Sequence, residues 1–437
     1  MALPTANLAL DLDARVGVSA SGGRVSRWDD RHLSLNSDGS GPHHAVQGDT
    51  TYQPMLTRDW LGAPCLLFPW GYGAAHPKYF LEVPASLTIT TQACTVYAVA
   101  AQSNYEYQAL FTFKGWGNFF PWIGFYNGVS GSSYAPIMKC ATAYPALYTP
   151  INKSIYGAAN GTSELRVCLN GQQWAGAKLG ATILSGADIG IDTFGGTNEY
   201  PFSGLIYRIL VYKAAHSAAT MQAVVEALAA EHAVQQTYHK QIVFRGDSLT
   251  AGQAADPLGN YSFQVLARRP EWRIFNLGVG GQMLSTMITR DSTGVDPLYD
   301  ASLDENVIGI LAGTNDIGGD GIDGATCFTR LQTWCQARKA AHAGWNIRVI
   351  TVPARGSATM NGYISDYNAL IRAGDPAIDR LVDVGRGSLI EPALSDENNP
   401  TYFQADKLHL TTAGYGVIAK HLVGEMFERR AMSGFFG

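Results

Sequence analysis

Gln241-Ile242-Val243-Phe244-Arg245-Gly246-Asp247-Ser248-Leu249 is a short apolar run that stops at a glycine and two small polar residues. A run of this length reads as a strand covered on both faces, and the polar stop reads as the loop that leaves it. The same grammar recurs downstream. Candidate strands are Ile242–Arg245, Arg273–Asn276, Val307–Leu311, Ile347–Val352 and Leu381–Val384. Candidate helices include Ala325–Ala343, with Phe328, Leu331 and Cys335 on one face and Gly344 as the stop, then Gly362–Arg372 and Thr411–Arg429. Strands alternating with helices predict a three-layer α/β/α domain built on a parallel sheet.

Upstream the pattern is different. Leu8, Leu10 and Leu12 alternate with Asn7, Ala9, Asp11 and Asp13, the period of a half-buried strand. Cys94–Ala101 and Ser203–Tyr212 are β-rich runs, and Glu164–Leu169 leads into Asn170-Gly171, a strong two-residue hairpin signal. Many short strands separated by turn residues predict a β-sandwich. An alanine-rich helix at Ser217–Val234 and the polar stretch Gln235–Lys240 close this region. The reading is therefore multidomain, with a β-sandwich over 1–237 and an α/β/α domain over 238–437. No internal repeat of 20–50 residues is visible.

Composition supports two folded domains. The chain has 437 residues, of which 15% are charged and 46% hydrophobic. A typical charged fraction is about 25%, so disorder and coiled coil are excluded. The net charge of −5 supplies no bulk positive field for nucleic acid or an anionic membrane. No apolar stretch reaches the roughly 18 residues needed to span a bilayer. The opening Met-Ala-Leu-Pro-Thr-Ala-Asn shows no basic segment followed by an apolar core. Low charge and aromatic richness nevertheless point to a secreted or extracytoplasmic setting. Of the six cysteines, Cys327 and Cys335 lie eight apart on one predicted helix, about 12 Å of rise and too far for a disulfide. Buried free thiols are expected.

Open α/β sheets place their working groups at the carboxyl ends of the strands. Gly246-Asp247-Ser248-Leu249 follows the first strand, and Asn276-Leu277-Gly278-Val279-Gly280-Gly281 straddles the end of the second. Gly313-Thr314-Asn315-Asp316 follows the third, and Asp406-Lys407-Leu408-His409 precedes the last helix. These clusters contain the parts of an acyl-transfer site. A serine hydroxyl needs a base to take its proton, and an imidazole ordinarily titrates close to neutrality. Asp406 stands three residues before His409, so one tight turn brings its carboxylate beside the ring, where it orients the tautomer and favours the imidazolium. Backbone N–H groups of Ser248 and Gly281 and the Asn315 amide are the candidate oxyanion donors. Asp247 and Asp316 read as local anchors.

With these four blocks the chain resembles the SGNH (GDSL-type) hydrolases. The resemblance implies Ser248 as nucleophile, His409 as base, Asp406 as its partner, and an oxyanion hole of Ser248, Gly281 and Asn315, with no metal or cofactor. Gly280 adjoins Gly281, and a one-residue shift would exchange their roles. Residues 1 to about 215 resemble a concanavalin A-like (laminin G-type) jelly roll, on Leu10-Asp11-Leu12-Asp13-Ala14, Val25–Asp30, Leu169-Asn170-Gly171 and Phe202–Lys213. Trp116, Trp122 and Tyr126, within an aromatic stretch, are candidate carbohydrate-stacking residues, whereas His43-His44 reads as surface. The expected function is a serine esterase acting on short acyl esters, foremost O-acetyl groups of a carbohydrate. The alternatives are a general short-chain carboxylesterase of lipase-like type, and a glycan-binding, adhesin-like protein with minor hydrolase activity.

Overall fold

The computed structural model describes residues 2–31, 42–69, 79–89, 93–102, 108–114, 123–127, 136–139, 149–177, 184–191, 201–255 and 257–424. These divide into two compact units that meet in the chain between Thr237 and Tyr238.

The N-terminal unit is an antiparallel β-rich domain. Among the described residues, sixteen strands between Leu8 and Tyr212 are linked through antiparallel ladders. A sheet with one wet face alternates buried and exposed residues. Strands Cys94–Gln102, Ser154–Asn160 and Gly204–Tyr212 do not alternate, because every residue in them is buried. Both of their faces are therefore covered, as a sandwich with an added helix requires. Val96, Ala98 and Ala100 belong to the core that also holds Leu10, Trp28, Phe68 and Leu110. On the opposite face, helix Ala218–His232 packs over Gly157, where a Cβ would stand 3.2 Å from Met221 Cε. Ser217 caps that helix by accepting the Thr220 N–H. The hairpin forms where the sequence indicates: Leu169 pairs with Gln172, and Asn170 and Gly171 take φ of 48° and 90°.

Two expectations for this unit are corrected. Strand Leu8–Asp13 is not half-exposed, since Asp11 and Asp13 are buried. Arg208 grips Asp11 with two hydrogen bonds of 2.9 Å, and Arg15 and Arg31 both donate to Asp13. A carboxylate so paired tolerates burial, and period-2 patterning cannot register that. His43 is buried rather than on the surface. Its N–H donates to Asp30 Oδ2 at 3.0 Å, and its Nδ1 lies 3.0 Å from Ser86 Oγ.

The C-terminal unit is built on five parallel strands. Their order across the sheet is Arg273–Gly278, Lys240–Gly246, Glu305–Leu311, Trp345–Ile350, Arg380–Val382. In chain order this is 2-1-3-4-5, with the reversal between the first and third strands, where ligands bind in open sheets. Register sets Gly246 beside both Gly278 and Leu311, so the loops carrying Ser248, Gly281 and Asn315 leave the sheet at one level. The central strands are buried at nearly every residue, which apolar layers on both faces explain.

Helix Gly324–Ala341 is capped by Asp323 and ends three residues before Gly344. Helix Ala358–Ala373 starts earlier than the periodicity suggests because Ser357 caps it. Helix Thr412–Val423 is capped by Thr411, and the predicted extension beyond residue 424 lies outside the described residues. Helices Tyr261–Arg268 and Leu284–Gly294 were not anticipated. The second is rich in Ser, Thr and Gly and has no side-chain cap, so its sequence carries little helical signal.

The described cysteines are free and buried; burial pushes Cys168 up to about 11 and Cys65 and Cys94 up to about 12. Among the described residues no helix is long and apolar enough to cross a membrane.

Candidate active site

Ser248 opens a short helix, Ser248–Ala251, directly after the first strand. The turn into it is tight. A Cβ on Gly246 would stand 2.2 Å from Leu311 O, so only glycine lets the strand end lie against its neighbour. Asp247 caps the helix by accepting the Leu249 N–H at 2.9 Å. Complete burial pushes its carboxyl up to about 7, although the Leu249 N–H and the charge of Arg355 pull the other way.

The serine hydroxyl lies 3.0 Å from His409 Nε2, and His409 Nδ1 lies 2.5 Å from Asp406 Oδ2. Asp406 Oδ1 also accepts the N–H groups of Leu408 and His409, each at 3.0 Å. The turn that allows this carries Lys407 at φ 56°, a left-handed conformation unusual for lysine. Burial alone would raise the Asp406 carboxyl. The hydrogen bonds from the His409 ring and from the two backbone N–H groups outweigh it and hold the group below the ordinary aspartate value. An ionised carboxylate can only accept, so Nδ1 carries the imidazole proton and the Nε2 lone pair faces the serine hydroxyl.

Gly281 has φ of 71°, and the space where its side chain would be is open within 4 Å. Asn315 is half-buried in the short helix Thr314–Gly318, and its Nδ2 donates to Gln282 O at 3.2 Å. An amide nitrogen has two hydrogens, so the second stays available to a ligand. Around these groups Asn276 and Asp316 are well satisfied. Asn276 Nδ2 donates to Thr250 O and Ser262 Oγ, and Asp316 accepts from Leu284 N and Arg330.

Residues 244–417 match the GDSL-like lipase/acylhydrolase family. The C-terminal unit is a GDSL-like ester hydrolase domain. Among solved structures, the chain is similar to a lipolytic G-D-S-L family protein from Veillonella parvula, at 19% identity and TM-score 0.34 over 44% of this chain and 99% of that one. It is similar to an acetyl xylan esterase from Geobacillus stearothermophilus at 18% identity and TM-score 0.35, over 44% and 95% of the two chains. A lipase/acylhydrolase from Enterococcus faecalis shows 23% identity and TM-score 0.34, over 44% and 96%. No curated protein matches the chain.

Within the GDSL-like domain, the structure brings Ser248, His409 and Asp406 into one hydrogen-bonded chain and sets Gly281 and Asn315 on the adjoining strand-end loops. Trp116 and Trp122 lie outside the described residues. Tyr126 is in strand Ile123–Asn127, with its side chain outside the description.

Three nearby residues escaped the sequence reading. Arg355 is half-buried, and its Nη1 donates to Thr314 O and Thr314 Oγ1. Burial holds its guanidinium below the ordinary arginine value despite the attraction of Asp247 and Asp406. Its signal was available, for it closes Val-Pro-Ala-Arg just beyond the fourth strand. Arg245 and Gln282 also escaped, each hidden beside a more familiar block.

Outside this domain, Asp13, Glu231 and His232 bring ligand atoms within 4.8 Å of one another. Arg15, Arg31 and Arg208 already pair with those carboxylates, and burial lowers His232 to about 4. The donor set is that of an arginine–carboxylate network and does not fit a metal centre.

Proposed function

We propose that the GDSL-like domain is a serine esterase with Ser248 as nucleophile, His409 as general base and Asp406 as the group that orients it. The observation that carries this reading is the unbroken run from Asp406 Oδ2 through both His409 nitrogens to Ser248 Oγ, at 2.5 Å and 3.0 Å. His409 Nε2 takes the hydroxyl proton as Oγ attacks the ester carbonyl. The negative charge that moves to the carbonyl oxygen is met by the Ser248 and Gly281 N–H groups and the free hydrogen of Asn315 Nδ2. The tetrahedral species collapses, and the alcohol leaves with the proton from Nε2. Water then attacks the acyl-serine by the same route, releasing the acid and restoring the hydroxyl.

The substrate class we favour is a short acyl ester of a carbohydrate, foremost an O-acetyl group. Its support is the pairing of a GDSL-like domain with an antiparallel β-rich domain that resembles concanavalin A-like sandwiches and contains the aromatic stretch from Trp116 to Tyr126. Aromatic faces stack on the apolar faces of pyranose rings.

The test is acetate release from acetylated xylan and from a simple aryl acetate, by the wild type and by Ser248→Ala. Wild type is expected to cleave both and the variant neither. Aryl acetate turnover without release from xylan would leave a general short-chain esterase. A fully active Ser248→Ala would remove the nucleophile assignment.

A further inference from the structure

An oxyanion hole works only if its donors are held before charge develops, and the loop carrying Gly281 is held locally by backbone bonds, Val279 N–H to Gly246 O and Gln282 N–H to Val279 O, each at 3.1 Å. Gly281 has no side chain, is exposed, and has nothing packed where a side chain would be. Yet its N–H must stay fixed relative to Asn315, which belongs to a different loop. The residue that meets both is Gln282, whose N is bonded to the Gly281 carbonyl carbon and whose own carbonyl accepts the Asn315 amide at 3.2 Å.

Gln282 is buried, and its side-chain Oε1 accepts a 2.6 Å hydrogen bond from Arg245 Nη1. Arg245 can only donate, so the amide must present its oxygen there. Its Nε2 is buried without a hydrogen-bond partner among the described residues. The arginine sets that orientation, since an amide turned the other way would point its N–H groups at a guanidinium that can only donate.

Arg245 is itself immobile. It is fully buried on the first strand, two residues before Asp247. Its Nε and Nη2 form a fork on Asp291 at 2.8 and 2.9 Å, and Trp334 Nε1 donates to the same carboxylate at 2.7 Å. Its Nη1 also reaches Leu277 O at 2.8 Å and Gly246 O at 3.2 Å. The guanidinium thus joins the ends of the first two strands, the helix bearing Asp291 and the Gly281 loop. A buried charge paired in this way has one arrangement, because any other leaves it unpaired.

We propose that Gln282 is a positioning residue for the oxyanion hole, locked by the buried Arg245–Asp291 pair, so that the Gly281 N–H and the Asn315 amide converge on one point. It acts through those two donors and touches no reacting atom. The inference rests on the esterase reading above.

The experiment is steady-state kinetics on an aryl acetate with the full chain. Gln282→Met keeps the volume and removes the acceptor. Gln282→Asn keeps an amide but withdraws it from Arg245, and serves if the Met variant does not fold. Gln282→Glu restores an acceptor oxygen. A donor misplaced by about 1 Å costs on the order of 10²-fold, so kcat is expected to fall by about that factor in the Met and Asn variants with KM little changed. The Glu variant should recover most of the loss. Combined with Asn315→Ala, the Met variant should add much less than its own factor, since the two act on one hole. Wild-type kcat in both Gln282→Met and Gln282→Asn, or fully multiplicative losses with Asn315→Ala, would overturn the inference. Ser248→Ala run alongside separates the two readings: if wild type turns over and Ser248→Ala does not, unaffected Gln282 variants count against the clamp alone.

Discussion

Each unit contains a buried arginine that forks onto a buried aspartate, and the two forks are nearly superimposable in their distances. In the β-rich unit Arg208 holds Asp11 at 2.9 and 2.9 Å. In the GDSL-like domain Arg245 holds Asp291 at 2.8 and 2.9 Å. The third partner separates them. Arg208 Nη1 reaches Glu231, near the end of helix Ala218–His232, and so ties a strand pair to a helix. Arg245 Nη1 reaches Gln282, and so ties a strand pair to the loop of a proposed oxyanion donor. The same ion-pair chemistry serves cohesion in one place and alignment in the other.

The sharpest way to break that comparison is to remove the charge of one carboxylate from the proposed catalytic chain and of one from the fork of the β-rich unit. The Asp406 side chain is 49% exposed, so little folding energy rests on it. Asp406→Asn should lower kcat by about 10³–10⁴-fold through loss of the correct His409 tautomer, with an unfolding midpoint close to wild type. Asp11→Asn should do the reverse, lowering the midpoint and sparing kcat. Parallel loss of activity and stability in both variants would defeat the distinction.

Cutting the forks themselves comes next in size. Removing one member of a buried pair typically costs about 3–5 kcal/mol, because the other charge is stranded. Arg208→Met and Arg245→Met should both lose stability on this scale in denaturant titrations. Only Arg245→Met should also lose kcat when assayed where the protein is still folded. Equal kcat in the two variants would show that the Arg245 fork, like the other, is only structural.

The smallest effect concerns Asp247, a buried carboxyl with no ion-pair partner among the described residues. Its Oδ2 accepts no hydrogen bond, and burial pushes the group up to about 7. An acid whose pKa is higher when folded binds its proton more tightly in the folded state. Its contribution to stability is therefore greatest below pH of about 4, the ordinary aspartate range, and is lost as pH rises towards about 7. Asp247→Asn keeps the oxygen that accepts the Leu249 N–H and cannot ionise. The difference in Tm between variant and wild type should shift in the variant's favour between about pH 4 and pH 7, then level off. A difference that stays constant over that interval would contradict the assignment.

Much of this was legible from local pattern. Strand–loop–helix alternation from Gln241 onward, the Asn170-Gly171 turn, and the helix starts near Ser217 and Thr411 are decided by neighbours within a few positions. Three of the four polar blocks could be read in order because a site at the carboxyl edge of a parallel sheet draws parts from the ends of strands, and the fourth because it leads into the last helix. Helix Leu284–Gly294 was missed for the complementary reason. Its weak intrinsic propensity is overridden by packing, and its Asp291 is called inward by an arginine 46 residues away.

The sequence by itself thus determined the five parallel strands, three of the helices of the same domain and which residue types gather at the working edge. It could do so because backbone conformation and strand-end placement are short-range consequences of side-chain shape and pattern. Only the tertiary structure decided how Ser248 meets His409 across 161 residues, why Asp11 can be buried opposite Arg208 across 197, and that Gln282 links the Gly281 loop to Asn315. The meaning of a buried polar group lies in its partner, and a partner distant in the chain leaves no mark on the residues around it.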